Sequence, residues 1–344
     1  MQFDALSSAR TSGGDNSVGP IYPYFSIDES SRVTDKYSQS RSPSDQAMDA
    51  QSSHAVEGNR ATEPRLEAEF RNLRPLRTSG NRPPLICFFP GPPGARDLTA
   101  ALPEDQPVYE IWWPNVDDQA HYPTIEQLAD TFLAEIKKLQ PQGPYQFCGY
   151  STFGLVAYEL ALRLLAEGRD VGFLALFDIW HPQFLDRLTG REMVRYKVLR
   201  IVDRVGKYRR ILKAGGIGNA MTHLGEFAIN KARSVGWRLS RAGFKLAGAP
   251  IPKGMRTVAS IAANKTYVPP PYPKRFILIR TEDLLERKLG DPTVGWSGCA
   301  SQGIDLYFIE GDHGAIKDAP FVHGLVAKIA PHLAATSTDS NRNP

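Results

Sequence analysis

Three residue types set far apart in the chain make up the equipment for acyl transfer through a serine: Ser151, Asp178 and His313. A serine hydroxyl is a weak nucleophile, so it needs a base within hydrogen-bond reach and an acid that orients the base. Ser151 stands two residues after Gly149 in QFCGYSTFGLVAYELA, residues 146–161, where a short apolar run passes into a helical pattern. A tight strand–turn–helix lifts the hydroxyl clear of the sheet and leaves the next backbone N–H, that of Thr152, where a developing oxyanion needs a donor. Gly149 permits a close backbone approach at such a turn, and Gly154 keeps the helix thin against its neighbour. Taken alone, Gly-x-Ser reads better as a serine N-cap. The partners decide against that reading. LALFDIWHP (174–182) ends a strand in Asp178, and IEGDHGAIKDAP (309–320) ends the last strand in His313. Ser, Asp, His in that order, each at the carboxyl end of a strand, is the α/β-hydrolase order. Glu282, Asp283 and Asp291, after the next-to-last strand, are the rival acids.

The positioning elements follow from periodicity. Strands are predicted over residues 84–90, 108–113, 145–150, 173–177, 276–280 and 304–310, all short apolar runs closed by turn residues. Helices are predicted over 124–139, 152–167 and 320–333. In the first, Ile125, Leu128, Ala129, Phe132, Ile136 and Leu139 keep helical spacing, and Thr124 with Gln127 forms a capping box. Alternating helices and near-continuous apolar strands predict an α/β fold: a mostly parallel sheet with helices on both faces.

With these motifs in place, GYSTFGLVAYELALRL resembles the nucleophile region of the thioesterase domains that unload nonribosomal peptide and polyketide synthases, α/β-hydrolases whose own string runs close to G-Y-S-F-G-G-L-V-A-Y-E. LALFDIWHP resembles that family's strand ending in the catalytic acid. YVPPPYPKRFILIR, DPTVGW and GIDLYFIEGDH resemble its closing stretch. The resemblance implies Ser151 as nucleophile, Asp178 as acid and His313 as base, with the N–H of Thr152 and a donor near Gly91 holding the oxyanion. It implies no metal or organic cofactor, because the acyl chain arrives on the phosphopantetheine of a carrier protein. Two positions depart from the pattern. Phe153 replaces a glycine at the second residue after the serine, where a ring is expected either to crowd the elbow or, with Tyr150 and Trp180, to line an acyl pocket. In FFPGPPG (88–94), Pro90, Pro92 and Pro93 lack an N–H, so only Gly91, Gly94 or Ala95 is left to donate.

The expected organisation is a disordered leader over 1–80, a hydrolase domain over 81–338 with a basic helical lid inserted at 183–265, and a disordered tail over 339–344. The net charge of +4 conceals an asymmetry: residues 183–256 carry 17 Lys/Arg against 4 Asp/Glu, net +13, and the rest of the chain is near −9. Such a lid is expected to steer an acidic acyl or peptidyl carrier protein or synthase. An anionic membrane surface ranks second, and nucleic acid last for want of a recognised module. Cys87, Cys148 and Cys299 form no zinc spacing and cannot all pair, and the N-terminal residues lack a signal-peptide pattern, so a reducing cytoplasm is expected. The functional expectation is a carrier-directed thioesterase acting by hydrolysis or cyclisation. Its alternatives are a carboxylester hydrolase on small molecules or lipids, and a catalytically impaired acyl- or carrier-binding protein.

Overall fold

The computed structural model describes residues 70–89, 94–112, 122–202, 264–281, 290–311 and 313–340, with scattered helical positions between 205 and 240. The leader up to residue 69, most of the inserted segment, Gly91 and its neighbouring prolines, Glu282, Asp283 and the last four residues lie outside the described residues.

Seven strands form one sheet: β1 (Leu73–Arg77), β2 (Leu85–Phe88), β3 (Val108–Ile111), β4 (Tyr145–Tyr150), β5 (Val171–Phe177), β6 (Phe276–Thr281) and β7 (Ile304–Ile309). Their order is β1-β3-β2-β4-β5-β6-β7, parallel throughout except for β1, which runs antiparallel to β3. Helices α1 (Arg96–Ala101), α2 (Ile125–Leu139), α3 (Gly154–Ala166) and α5 (Val322–Ser340) flank it, and residues 190–202 form α4. Two buried apolar clusters occupy the two faces. One joins α2 and α3 to Phe88, Phe147 and Leu176; the other joins α1 and α5 to Cys87, Cys148 and Ile277. The expected α/β architecture is therefore the observed one. The capping box that starts α2 is complete, Gln127 N–H donating to Thr124 Oγ1 and Thr124 N–H to Gln127 Oε1.

The expected leader boundary needs correction. Residues 70–77 were placed in a disordered segment, yet Leu73–Arg77 forms the edge strand, and Phe70 and Leu73 are buried. Arginines and Pro75 hid the strand, because an edge strand needs neither an apolar run nor a full ladder of N–H donors. At the other end α5 runs to Ser340, two residues into the expected tail. Among the described residues no helix is long and apolar enough to cross a membrane.

Chain order fixes where a site belongs. After β2 the chain passes to β3 on one side, and then returns to β4 on the other. The crevice beyond the carboxyl ends of β2 and β4 is thus a topological switch point, where open α/β sheets bind ligands.

Candidate active site

The turn out of β4 is unusually tight. Ser151 has φ 53°, a left-handed backbone that non-glycine residues seldom adopt, and residues Ser151–Phe153 make one 3₁₀ turn before α3. Gly154 opens α3 directly against the end of β4. A Cβ on Gly149 would sit 2.4 Å from Gly154 Cα, and one on Gly154 would sit 2.9 Å from the Gly149 carbonyl oxygen. The two glycines make the elbow sterically feasible, and the tertiary packing holds Ser151 in its strained conformation.

Ser151, Asp178 and His313 meet at the carboxyl edge of the sheet. His313 Nε2 lies 3.1 Å from Ser151 Oγ, and His313 Nδ1 lies 2.6 Å from Asp178 Oδ2. All three are buried. Asp178 follows β5 with φ 49°, a second left-handed residue that turns its carboxylate across to the histidine. Its other oxygen, Oδ1, accepts from Arg280 Nε at 3.0 Å and from the N–H and Oγ1 of Thr281, each at 3.3 Å. Burial works to raise the proton affinity of Asp178. The Arg280 charge and the His313 hydrogen bond outweigh burial and hold the carboxyl well below the usual carboxylate range. Of the rival acids, Asp291 is committed elsewhere: it accepts from Thr293 N–H, Thr293 Oγ1 and Gly295 N–H, closing its own turn.

The histidine is clamped from β4. Tyr150 stacks on the His313 ring at 5.0 Å between centroids and on Phe89 at 5.9 Å, and its hydroxyl donates to the His313 carbonyl. Tyr150 was expected to line a pocket. It is 5% exposed and packs on His313, because strand alternation turns its side chain into the sheet face that carries α5. Trp180 and Phe153 are half-buried, packed against the cluster on the α2–α3 face, with Trp180 edge-on to Phe184 and Tyr196. The backbone of Phe153 is unstrained at the elbow. Its φ −67° and ψ −27° are ordinary helical values, and the close approach falls one residue later, at Gly154.

At the oxyanion side, Thr152 is the second residue of the 3₁₀ turn. The first N–H groups of a helix have no partner within it. Gly91 lies outside the described residues. Ala95 drops out as a donor: its N–H is taken by Glu110 Oε1 at 2.9 Å. Glu110 is buried on β3, and burial pushes its carboxyl up against the opposing Ala95 bond and the charges of Arg74 and Arg96. A Cβ on Gly94 would fall 1.7 Å from that same Oε1, so Gly94 admits the carboxylate that anchors the far end of the loop.

Arg280, Thr281 and Glu110 escaped the sequence reading. The signal was an ionisable residue within an otherwise apolar strand, Arg280 in FILIR and Glu110 in VYEI, since a charge buried in a strand needs a partner.

Comparison with known proteins gives a consistent picture. Residues 83–211 match the thioesterase domain family. The chain is 33% identical over 156 residues to a probable non-canonical nonribosomal peptide synthetase, CymA, of Salinispora arenicola, covering 44% of this chain and 2% of that protein. It is 32% identical over 119 residues to the dimodular nonribosomal peptide synthase of Bacillus subtilis, covering 33% and 5%. It is 34% identical over 119 residues to enterobactin synthase component F of Escherichia coli O157:H7, covering 33% and 9%. The chain thus spans only a small part of these relatives. Among solved structures, the NocB thioesterase domain from the nocardicin cluster superposes with a TM-score of 0.50 at 19% identity, over 76% of this chain and 99% of that one. The four-domain synthetase holo-AB3403 gives 0.50 at 21% identity, over 81% and 21%. At these identities the structural likeness speaks for the fold.

Proposed function

For a chain that carries a thioesterase domain related to those of nonribosomal peptide synthetases, we propose that it releases an acyl or peptidyl chain from a phosphopantetheinyl carrier through an acyl-serine on Ser151. The observation that carries the reading is the unbroken line Ser151 Oγ, His313 Nε2, His313 Nδ1, Asp178 Oδ2 at 3.1 and 2.6 Å. His313 Nε2 takes the Ser151 proton as Oγ bonds to the thioester carbonyl carbon. Asp178 keeps the imidazole in the tautomer that can accept it and stabilises the imidazolium. The Thr152 N–H, with a donor near Gly91, holds the oxyanion. As the intermediate collapses, the carbon–sulfur bond breaks and the departing thiolate takes the proton from His313. Water, or a nucleophile within the acyl chain, then resolves the acyl-serine by the same base.

The partner reading rests on charge. Helix α4 presents Val194, Val198, Ile201 and Val202 to solvent beside the exposed Arg191, Arg195 and Lys197, within the segment of net +13. An acidic carrier fits that face. Secondary-metabolite biosynthesis in a reducing cytoplasm is the setting this implies.

The test compares wild type with Ser151→Ala on a carrier-bound acyl thioester and on a simple ester, following release and intact mass. Serine-dependent thioester cleavage with a transient acyl adduct is expected. Preference for the free ester would make this a carboxylester hydrolase, and absence of both adduct and turnover would leave a binding protein.

A further inference from the structure

Arg280 is the penultimate residue of β6 and is 0% exposed. Placing a guanidinium at the heart of an apolar sheet is costly, and an apolar residue of similar volume is often as stable or more so. Its partner here is Asp178, which sits beside β6 at the end of β5. We infer that Arg280 is a positioning residue of the triad: its guanidinium keeps Asp178 ionised and fixes its rotation, and so sets the acid limit of the working pH range. The inference rests on the reading of Ser151, Asp178 and His313 given above.

Two properties of a carboxylate make such a device useful. Its terminal torsion is broad and two-fold, so a buried Asp holding one histidine has no intrinsic reason to present a particular oxygen. Here three donors from β6 converge on Oδ1, leaving Oδ2 for His313 Nδ1 at 2.6 Å. The second property is charge. A buried carboxyl tends to take up a proton, and a protonated Asp178 would no longer serve as a pure acceptor for Nδ1–H. Arg280 opposes that uptake.

Removing the cation leaves Asp178, still buried, more avid for a proton, and a protonated Asp178 no longer orients the base. Among the described residues, the ionisable groups facing the Asp178–His313 pair include Arg280 from β6 and Tyr150 from β4, whose ring lies on His313 and whose hydroxyl donates to its carbonyl.

The test measures kcat/KM against pH for wild type, Arg280→Gln, Arg280→Lys and Thr281→Val. Labelling of Ser151 by a fluorophosphonate counts competent sites. Arg280→Gln, which keeps an amide donor but no charge, is expected to move the acid limb up by about one pH unit and to lower kcat more than it raises KM. Arg280→Lys and Thr281→Val are expected to leave the limb in place. A folded Arg280→Gln with an unmoved limb would overturn the inference. Should that variant fail to fold, Arg280→Lys decides: a limb displaced despite the retained charge overturns it, and an unmoved limb supports it. A wild type that neither labels nor turns over removes the triad reading itself, and this inference with it.

Discussion

Gly149 and Gly154 share a space that admits no methyl group on either: a Cβ on the first would lie 2.4 Å from Cα of the second. Both contacts are backbone, so neither side can yield cheaply. Gly149→Ala is expected to cost about 1–3 kcal/mol and to lower turnover as the elbow opens. Gly154→Ala, whose Cβ meets an oxygen at 2.9 Å and Leu176 at 3.3 Å, is expected to cost less. Gly190→Ala, with nothing within 4 Å, is the control and should stay within about 0.5 kcal/mol of wild type. Thermal unfolding of the three variants ranks them.

Asp178→Asn tests the acid with almost no change of shape. The amide cannot favour the tautomer that leaves Nε2 free to accept, so kcat is expected to fall by roughly 10⁴ while KM changes little. The substitution also strips Arg280 of its buried counter-charge, and breaking such a pair from one side costs about 3–5 kcal/mol. Steady-state kinetics on folded protein, together with the unfolding midpoint, separate the two effects. A variant retaining wild-type kcat would return the acid's role to Glu282 or Asp283.

Acid stability should fall in two windows. His181 is fully buried, its Nε2 has no hydrogen-bond partner among the described residues, and burial with the charge of Arg187 pushes it down from 6.5 to about 4. Between those values the unfolded chain binds a proton that the folded chain refuses, so stability is lost as pH falls from 6.5 to about 4. Asp178, whose folded value is depressed, stabilises the fold above the unfolded value of 3.8 and gives that up below it. His181→Asn keeps an acceptor for the Gln183 N–H that now donates to Nδ1. It is expected to flatten the upper window and leave the lower one intact in denaturation curves taken from pH 7 to 3.

Salt should distinguish the carrier from small substrates. With a carrier-bound thioester, kcat/KM is expected to fall as ionic strength rises. The triple variant Arg191→Ser, Arg195→Ser, Lys197→Ser is expected to raise KM and flatten that slope, with a small ester unaffected. Equal salt slopes for wild type and variant would remove α4 from the encounter. Sedimentation with anionic vesicles, absent with zwitterionic ones, would point to a membrane instead.

The triad and the order of the central elements were legible in the sequence because each rests on local information. The strand runs are short and apolar, α2 has its period and its cap, and the three candidate residues follow strands in a recognised order. What escaped depends on contacts across strands. Arg280 and Thr281 matter through their reach to Asp178, 102 and 103 residues away. Glu110 matters through a loop N–H, and Tyr150 through a carbonyl 163 residues on. Phe153 shows a different limit: comparing a serine's neighbours position by position does not reveal which of them bears the close backbone approach, and here that residue is Gly154.

The antiparallel β1 has a practical consequence for anyone cutting the domain free. The family match begins at residue 83, a tempting place to start a recombinant fragment. Such a fragment would lose the mutual bonds between Asn72 and Trp112 and the anchor from Asn72 N–H to Glu135, along with the arginines and Pro75 that make β1 a poor template for pairing. The bared edge of β3 would then be open to strands of other molecules. Preparations begun at residue 83 should aggregate, where those begun before Phe70 stay dispersed.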